Sequence, residues 1–218
     1  MGKRVMVIAA HPDDELLGCG GTIARHAEEG DEVCSVIVCE GESLRYVGLN
    51  VNQVAATERA AQILGVSQVH TLKFLDQKLD TYCLVDVIIA IEKVVDTFKP
   101  QIVYTHHSGD LNKDHRIVFE AASVALRPLS KHLEEMYSFY IVGSTELAYS
   151  PKFEPDTWVN ISKTLQKKLN AFACYESEVR KYPHPRSLGG LENLARYVGN
   201  QCYMEAAEMF ETVRRVKR

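Results

Sequence analysis

The chain has 218 residues, 46% of them hydrophobic and 25% charged, the proportions of an ordinary soluble globular protein. A formal net charge of −4 excludes a general role in binding nucleic acid or other polyanions. No apolar run reaches the ~18 residues that a membrane-spanning helix needs, so no integral membrane segment is expected.

The first strand falls at residues 4–10, an apolar run that reads as buried on both faces. A polar cluster follows at once: His11-Pro12-Asp13-Asp14-Glu15. Residues 16–29 read as a helix stopped at Gly30. Its Gly18, Gly20 and Gly21 lack the G-x-G-x-x-G spacing of a dinucleotide loop and instead let the helix start pack close to the sheet. A second strand covers 32–39, and 40–43 form a loop at its carboxyl end. A helix over 52–64 stops at Gly65, a third strand spans 69–74, and an amphipathic helix over 84–98 is closed by Lys99-Pro100. The fourth strand, 101–105, leads into the polar segment 106–115, then a helix over 115–126 that stops near Pro128. Asp114 is a candidate cap for that helix. Further strands fall at 137–142 and 157–161. After Ser162 the alternation fades into helices at 163–175 and 188–198 and a last segment through Glu208-Met209-Phe210.

Strands alternating with helices define an α/β fold, a Rossmann-like, doubly wound, mostly parallel sheet. We expect one domain over 1–218, with 162–218 as a helical and strand cap of that same domain. In a sheet of order 3-2-1-4-5 the first and fourth strands are neighbours, and the chain leaves them in opposite directions, opening a crevice at their carboxyl ends. The cluster at 11–15 and the segment at 106–115 leave those two ends, so they are predicted neighbours.

The residue types at 11–15 suit a metal. His11 offers an imidazole nitrogen and Asp14 an oxygen, Pro12 stiffens the turn between them, and Asp13 keeps a carboxylate free for a water. A catalytic zinc takes three protein ligands and keeps one position open, so a third ligand must come from elsewhere in the chain. The six cysteines form no C-x-x-C pair, which argues for packed free thiols over a thiolate site, and no charged-then-apolar leader is present; both point to a reducing, cytoplasmic setting. The basic tail, residues 214–218, reads as a solvated end.

Ala10-His11-Pro12-Asp13-Asp14-Glu15 resembles the A-H-P-D-D-E signature of the PIG-L / LmbE-like deacetylases, which remove acetyl groups from amino sugars. The second signature of that family, H-x-D-H or H-P-D-H, meets Asn112-Lys113-Asp114-His115 here. The resemblance implies zinc, or another divalent transition metal, on His11, Asp14 and His115, with Asp13 as general base and Asp114 fixing an imidazole tautomer. Asn112 stands where the family has a histidine. An amide donates to an oxyanion but does not act as an acid near neutral pH. Asp13 could then return the proton it took, helped by His106, His107 or His184; His107 is carried forward as the catalytic candidate. Glu58 matches a family glutamate, while Ala55 stands where an arginine is expected. Residues 168–178 and Pro183-His184-Pro185-Arg186-Ser187 resemble a K-x-x-A-L-x-x-Y-x-S-Q region and an H-P-R-S loop. They place His184 and Arg186 on a substrate rim with Arg45 and Asp110. Arg186 either grips an anionic part of the substrate or pairs with a nearby acid.

The implied activity is hydrolysis of the acetamide of an N-acetylglucosamine-type sugar or glycoconjugate. The competing readings are a metal-dependent amidohydrolase acting on a non-sugar N-acyl substrate, and a non-catalytic, nucleotide-binding Rossmann-like module. The family often forms homo-oligomers.

Overall fold

The computed structural model describes residues 2–42, 52–127, 131–148 and 150–218. Arg45 and Pro128 lie outside the described residues.

Among the described residues seven strands form one sheet: β1 (Arg4–Ala9), β2 (Glu32–Cys39), β3 (Gln68–Phe74), β4 (Ile102–Thr105), β5 (Glu135–Phe139), β6 (Thr157–Asn160) and β7 (Ala207–Arg215). Their order is β3-β2-β1-β4-β5-β7-β6. The first five pair in parallel, in the expected order, and β7 runs antiparallel to both β5 and β6. The central strands are apolar throughout because both of their faces are covered. On β1, Val5 and Val7 enter one core and Met6 and Ile8 the other, as the two-residue period of a strand requires.

Among the described residues six α-helices cover the sheet: α1 (Asp14–Glu28), α2 (Gln53–Leu64), α3 (Leu84–Phe98), α4 (Lys113–Ala125), α5 (Leu165–Phe172) and α6 (Leu188–Asn200). Helices α1, α2, α5 and α6 pack over the first core, and α3 with α4 over the second. Lys99 closes α3 in the left-handed region at φ 55°, as the Lys-Pro stop implied. The fifth strand begins and ends earlier than its β-branched and aromatic run, at Glu135 and Phe139. The C-terminal segment supplies α5 and α6 and also threads β7 into the sheet itself, between β5 and β6. Its alternation was hidden by charged residues at half-buried positions, such as Glu211 and Arg214.

The glycines near the start of α1 do pack against the sheet. A Cβ on Gly18 would lie 2.4 Å from Cδ2 of Phe139, and one on Gly21 within 2.8 Å of three side-chain carbons of Ile161. Helix α1 is kinked between them, with Cys19 at φ −146°. At the break the buried carboxylate of Glu208 on β7 accepts the N–H groups of Gly21 and Thr22, at 3.0 and 2.7 Å. Lys168 of α5 pairs with that same carboxylate at 2.6 Å. One ion pair thus ties α1, α5 and β7 together.

Candidate metal centre at the switch point

β1 and β4 lie side by side, with Ile8 opposite Thr105. The chain leaves β1 toward α1 on one face and β4 toward α4 on the other, so their carboxyl ends border a crevice. His11 and Asp14 enter it from β1, and His115 enters from the first turn of α4.

Nδ1 of His11 lies 3.1 Å, and Nε2 of His115 3.2 Å, from the same oxygen of Asp14, Oδ2. All three side chains are buried, and their donor atoms lie within 4.8 Å of one another. Two neutral imidazole nitrogens and a carboxylate oxygen converging at such distances fit a divalent ion that bonds each at roughly 2 Å. A second group, His11, Cys39 and Asp114, also has donor atoms within 4.8 Å. We favour the first because all three of its members line the open cleft, whereas Cys39 does not. That cleft is also bordered by Asp13, Asp76, Asn112, Glu178 and Arg186.

The rear nitrogens of both histidines are held. Nε2 of His11 faces Asp114 Oδ2 at 3.2 Å and Asp76 Oδ1 at 3.3 Å, and Asp114 Oδ1 accepts from the Leu79 amide. Asp114 therefore orients His11; the first histidine of the family's second signature, which would be the other imidazole beside it in sequence, is Asn112 here. Nδ1 of His115 faces Asp110 at 3.0 Å. Burial disfavours charge on the His11 imidazole, but Asp114 and Asp14 outweigh it and raise the ring to about 10. Burial likewise opposes charge on His115, and Asp14 and Asp110 raise it. Burial pushes the Asp14 carboxyl up, yet His115 and His11 hold it well below the usual range. For Asp13 burial wins, and the neighbouring Asp14 adds to it, so this carboxyl stands well above its ordinary value against the pull of Arg186.

Several expected site residues stand elsewhere. Asp110, expected on the substrate rim, is fully buried beneath His115; Thr145 Oγ1 donates to it at 2.6 Å, as do the Ser144 hydroxyl and the Asn112 amide. His107, carried as a catalytic candidate, faces away from the cleft: its Nδ1 meets Glu211 at 2.9 Å and its Nε2 the Pro151 carbonyl at 2.9 Å. Adjacent histidines at a strand end point to opposite sides, so only one of the pair can face the centre. That one is His106. Its Nε2 accepts the Ala10 amide at 2.8 Å and its ring stacks on His115, with centroids 4.0 Å apart. His184 lies on an exposed turn, where Nδ1 accepts the Arg186 amide. Helix α4 is capped by Asn112, not Asp114: Oδ1 of Asn112 accepts the Asp114 amide at 2.9 Å. The cap fixes the orientation of the amide and sends Nδ2 toward Gln77, 3.4 Å away. Arg186 reaches into the cleft and pairs with Asp13 at 3.5 Å.

Asp76, Gln77, Gln53 and Glu178 were not anticipated. The signal for the first two was present, since a polar pair following the third strand must face the same crevice as the cluster following the first. Gly41 is required here: it sits at φ 77°, and a Cβ would lie 2.6 Å from Cδ of Pro12.

A doubly wound sheet with two histidines and an aspartate converging at its switch point is the framework of a metallohydrolase. A family model described as PIG-L, GlcNAc-PI de-N-acetylase, matches residues 6–126, and the chain belongs to that family. It is 32% identical over 157 residues to the uncharacterized deacetylase YaiS of Escherichia coli, an alignment covering 69% of this chain and 80% of that protein. It is 29% identical over 202 residues to the diacetylchitobiose deacetylase of Thermococcus kodakarensis, covering 81% and 70%. Among solved structures, the 4-carboxy-2-hydroxymuconate hydratase GalB of Pseudomonas putida superposes with a TM-score of 0.79 at 22% identity, covering 99% of this chain and 98% of that one. This last likeness shows the fold alone. Because the fold also carries a hydratase, the reaction has to be argued from the site.

Proposed function

We propose that this protein is a zinc-dependent N-deacetylase that hydrolyses the acetamide of an N-acetylglucosamine-type sugar or glycoconjugate to acetate and a free amine. The observation that carries this reading is the sharing of Asp14 Oδ2 by His11 and His115, with the Asp13 carboxylate in the same cleft.

His11 Nδ1, Asp14 Oδ2 and His115 Nε2 would hold the ion, which supplies Lewis acidity and acidifies a water toward a pKa of ~7. Asp13 takes the proton from the attacking water and returns it to the departing nitrogen. Asn112 donates from Nδ2 to the oxygen that gains charge, a role open to an amide whose own oxygen is committed to the helix cap. Asp114 and Asp110 keep the two imidazoles in their orientations. Asp76 and Glu178 offer acceptors for sugar hydroxyls, with Arg186 and the exposed His184 loop at the rim. The six cysteines are free, which supports a reducing compartment such as the cytoplasm. Among the described residues no helix is long and apolar enough to cross a membrane.

The experiment pairs metal analysis with amine release. The protein purified with zinc should carry one ion per chain and release amine from N-acetylglucosamine or N,N′-diacetylchitobiose faster than from N-acetyl amino acids. His115→Ala should lose both metal and activity. Release from N-acetyl amino acids alone would move the assignment to a non-sugar amidohydrolase, and stoichiometric zinc retained by His115→Ala after dialysis would remove His115 from the ligand set.

A further inference from the structure

Asp13 has an unusual backbone. It precedes α1 at φ 102° and ψ −28°, in the left-handed half of conformational space that residues with a Cβ rarely enter. His11, Asp13 and Asp14 all line the same cleft, and Asp13, between Pro12 and Asp14, does so with its φ reversed. The Asp13 carbonyl still accepts the Leu16 and Leu17 amides, at 3.0 and 2.9 Å, so the helix starts normally on one side of a strained residue.

That strain needs something to hold it. Oε2 of Glu15 accepts the Asp13 amide at 3.1 Å. Glu15 is itself buried, and its other oxygen, Oε1, accepts the hydroxyl of Tyr175 at 2.8 Å. Tyr175 lies just beyond α5, has no exposed surface, and also stands 3.0 Å from Thr57 Oγ1 of α2. At the far end of the Asp13 side chain, Arg186 pairs with Oδ2. The strained residue is thus gripped at its amide by one chain of contacts and at its carboxylate by another, both originating in the C-terminal third.

We propose that Glu15 and Tyr175 are positioning residues for the base: Tyr175 fixes Glu15, and Glu15 holds Asp13 in the left-handed conformation that presents its carboxylate to the metal-facing side of the cleft. Neither residue touches the substrate. This rests on the assignment of Asp13 as the base. The Tyr175 hydroxyl is the distinguishing atom, because removing it leaves the ring to fill its buried site.

Tyr175→Phe tests the proposal without creating a cavity. Zinc content and KM should remain those of the parent, while kcat falls about 10- to 100-fold, the scale expected when a reacting group is displaced by about an ångström. In an Asp13→Asn background the same change should leave the residual kcat untouched, since the residue it acts through no longer serves as a base. A second readout needs neither turnover nor metal. Asp13→Gly relieves the strain, so Glu15→Gln should lower the melting temperature of metal-free protein less in the Asp13→Gly background than in the parent. An unchanged kcat in Tyr175→Phe, an equal fall in both backgrounds, or a loss that follows zinc content would overturn the proposal. If the parent releases no amine from any N-acetyl sugar, the reaction assignment fails, and the melting comparison alone decides on the clamp.

Discussion

At the scale of single residues, the chemistry is set by which carboxylate neighbours which imidazole. Asp13 and Asp14 are adjacent and both buried, yet their pKa values are driven in opposite directions. Asp14 faces the imidazoles of His115, His11 and His106, whereas Asp13 faces the carboxyl groups of Asp14, Glu178 and Glu15 against the single guanidinium of Arg186. Divergence within such a pair separates a ligand from a base. Asp13→Asn should therefore keep its zinc and lose about 10²- to 10⁴-fold in kcat, as read by metal analysis and steady-state amine release on the same preparation. The raised pKa values of His11 and His115 make a second prediction. In metal-free protein the His11 ring is pushed up to about 10 and holds a proton at neutral pH, and His115 is shifted in the same direction. Their proton-linked stabilisation is fully present below the unfolded value near 6.5 and is lost as pH rises through the folded one. A metal needs the unprotonated nitrogens, so zinc uptake should release protons at pH 7.5 and tighten as pH rises. Calorimetric titrations in buffers of different ionisation enthalpy measure the release, and a proton count of zero would contradict it.

At the scale of elements, α1 carries the most constraint. Its first turn bears the candidate ligand Asp14, and a break at Cys19 aims its two halves differently. Glu208 bridges the break by accepting the amides of Gly21 and Thr22, and Lys168 balances the resulting buried charge. Removing one member of a buried pair costs more than the pair contributes, because the other charge is stranded. Glu208→Gln should destabilise the protein by about 3–5 kcal/mol, read from the midpoint of urea unfolding. Replacing the pair as Glu208→Gln with Lys168→Met, which removes the stranded charge and keeps an acceptor for the two amides, should cost less than the single change. A single variant as stable as the parent would show that the kink is held by packing alone.

At the scale of the whole molecule, the sheet order brings loops from opposite halves of the chain to one cleft. The ligands come from the loop after β1 and the start of α4, while the rim and the support of Asp13 come from the C-terminal third. An ion binding only the folded arrangement should raise the melting temperature, equivalent to about 2.7 kcal/mol when free zinc is a hundredfold above its dissociation constant. Scanning calorimetry with and without a chelator measures the shift, and the His115→Ala variant should show none of it.

Much of this was legible in the sequence because it is local. Apolar runs such as residues 5–9 mark buried strands, Gly65 and Lys99-Pro100 mark helix ends, and a His-Pro-Asp-Asp-Glu cluster after a strand has little purpose except chemistry. The parallel order of the first five strands followed from alternation, and with it the meeting of His11, Asp14 and His115. Tertiary structure alone decided that His107 turns to Glu211 while His106 stacks on His115, that Asp110 lies beneath His115, that Asn112 caps α4, and that β7 enters the sheet. Asn112 and Asp110 meet partners only two and five residues away, so there the choice among local contacts is made by how the loop packs, while the others depend on distant segments. Periodicity encodes whether a side chain is buried, but the partner it meets there is supplied by a segment often a hundred residues away, whose position exists only once the strands have taken their order.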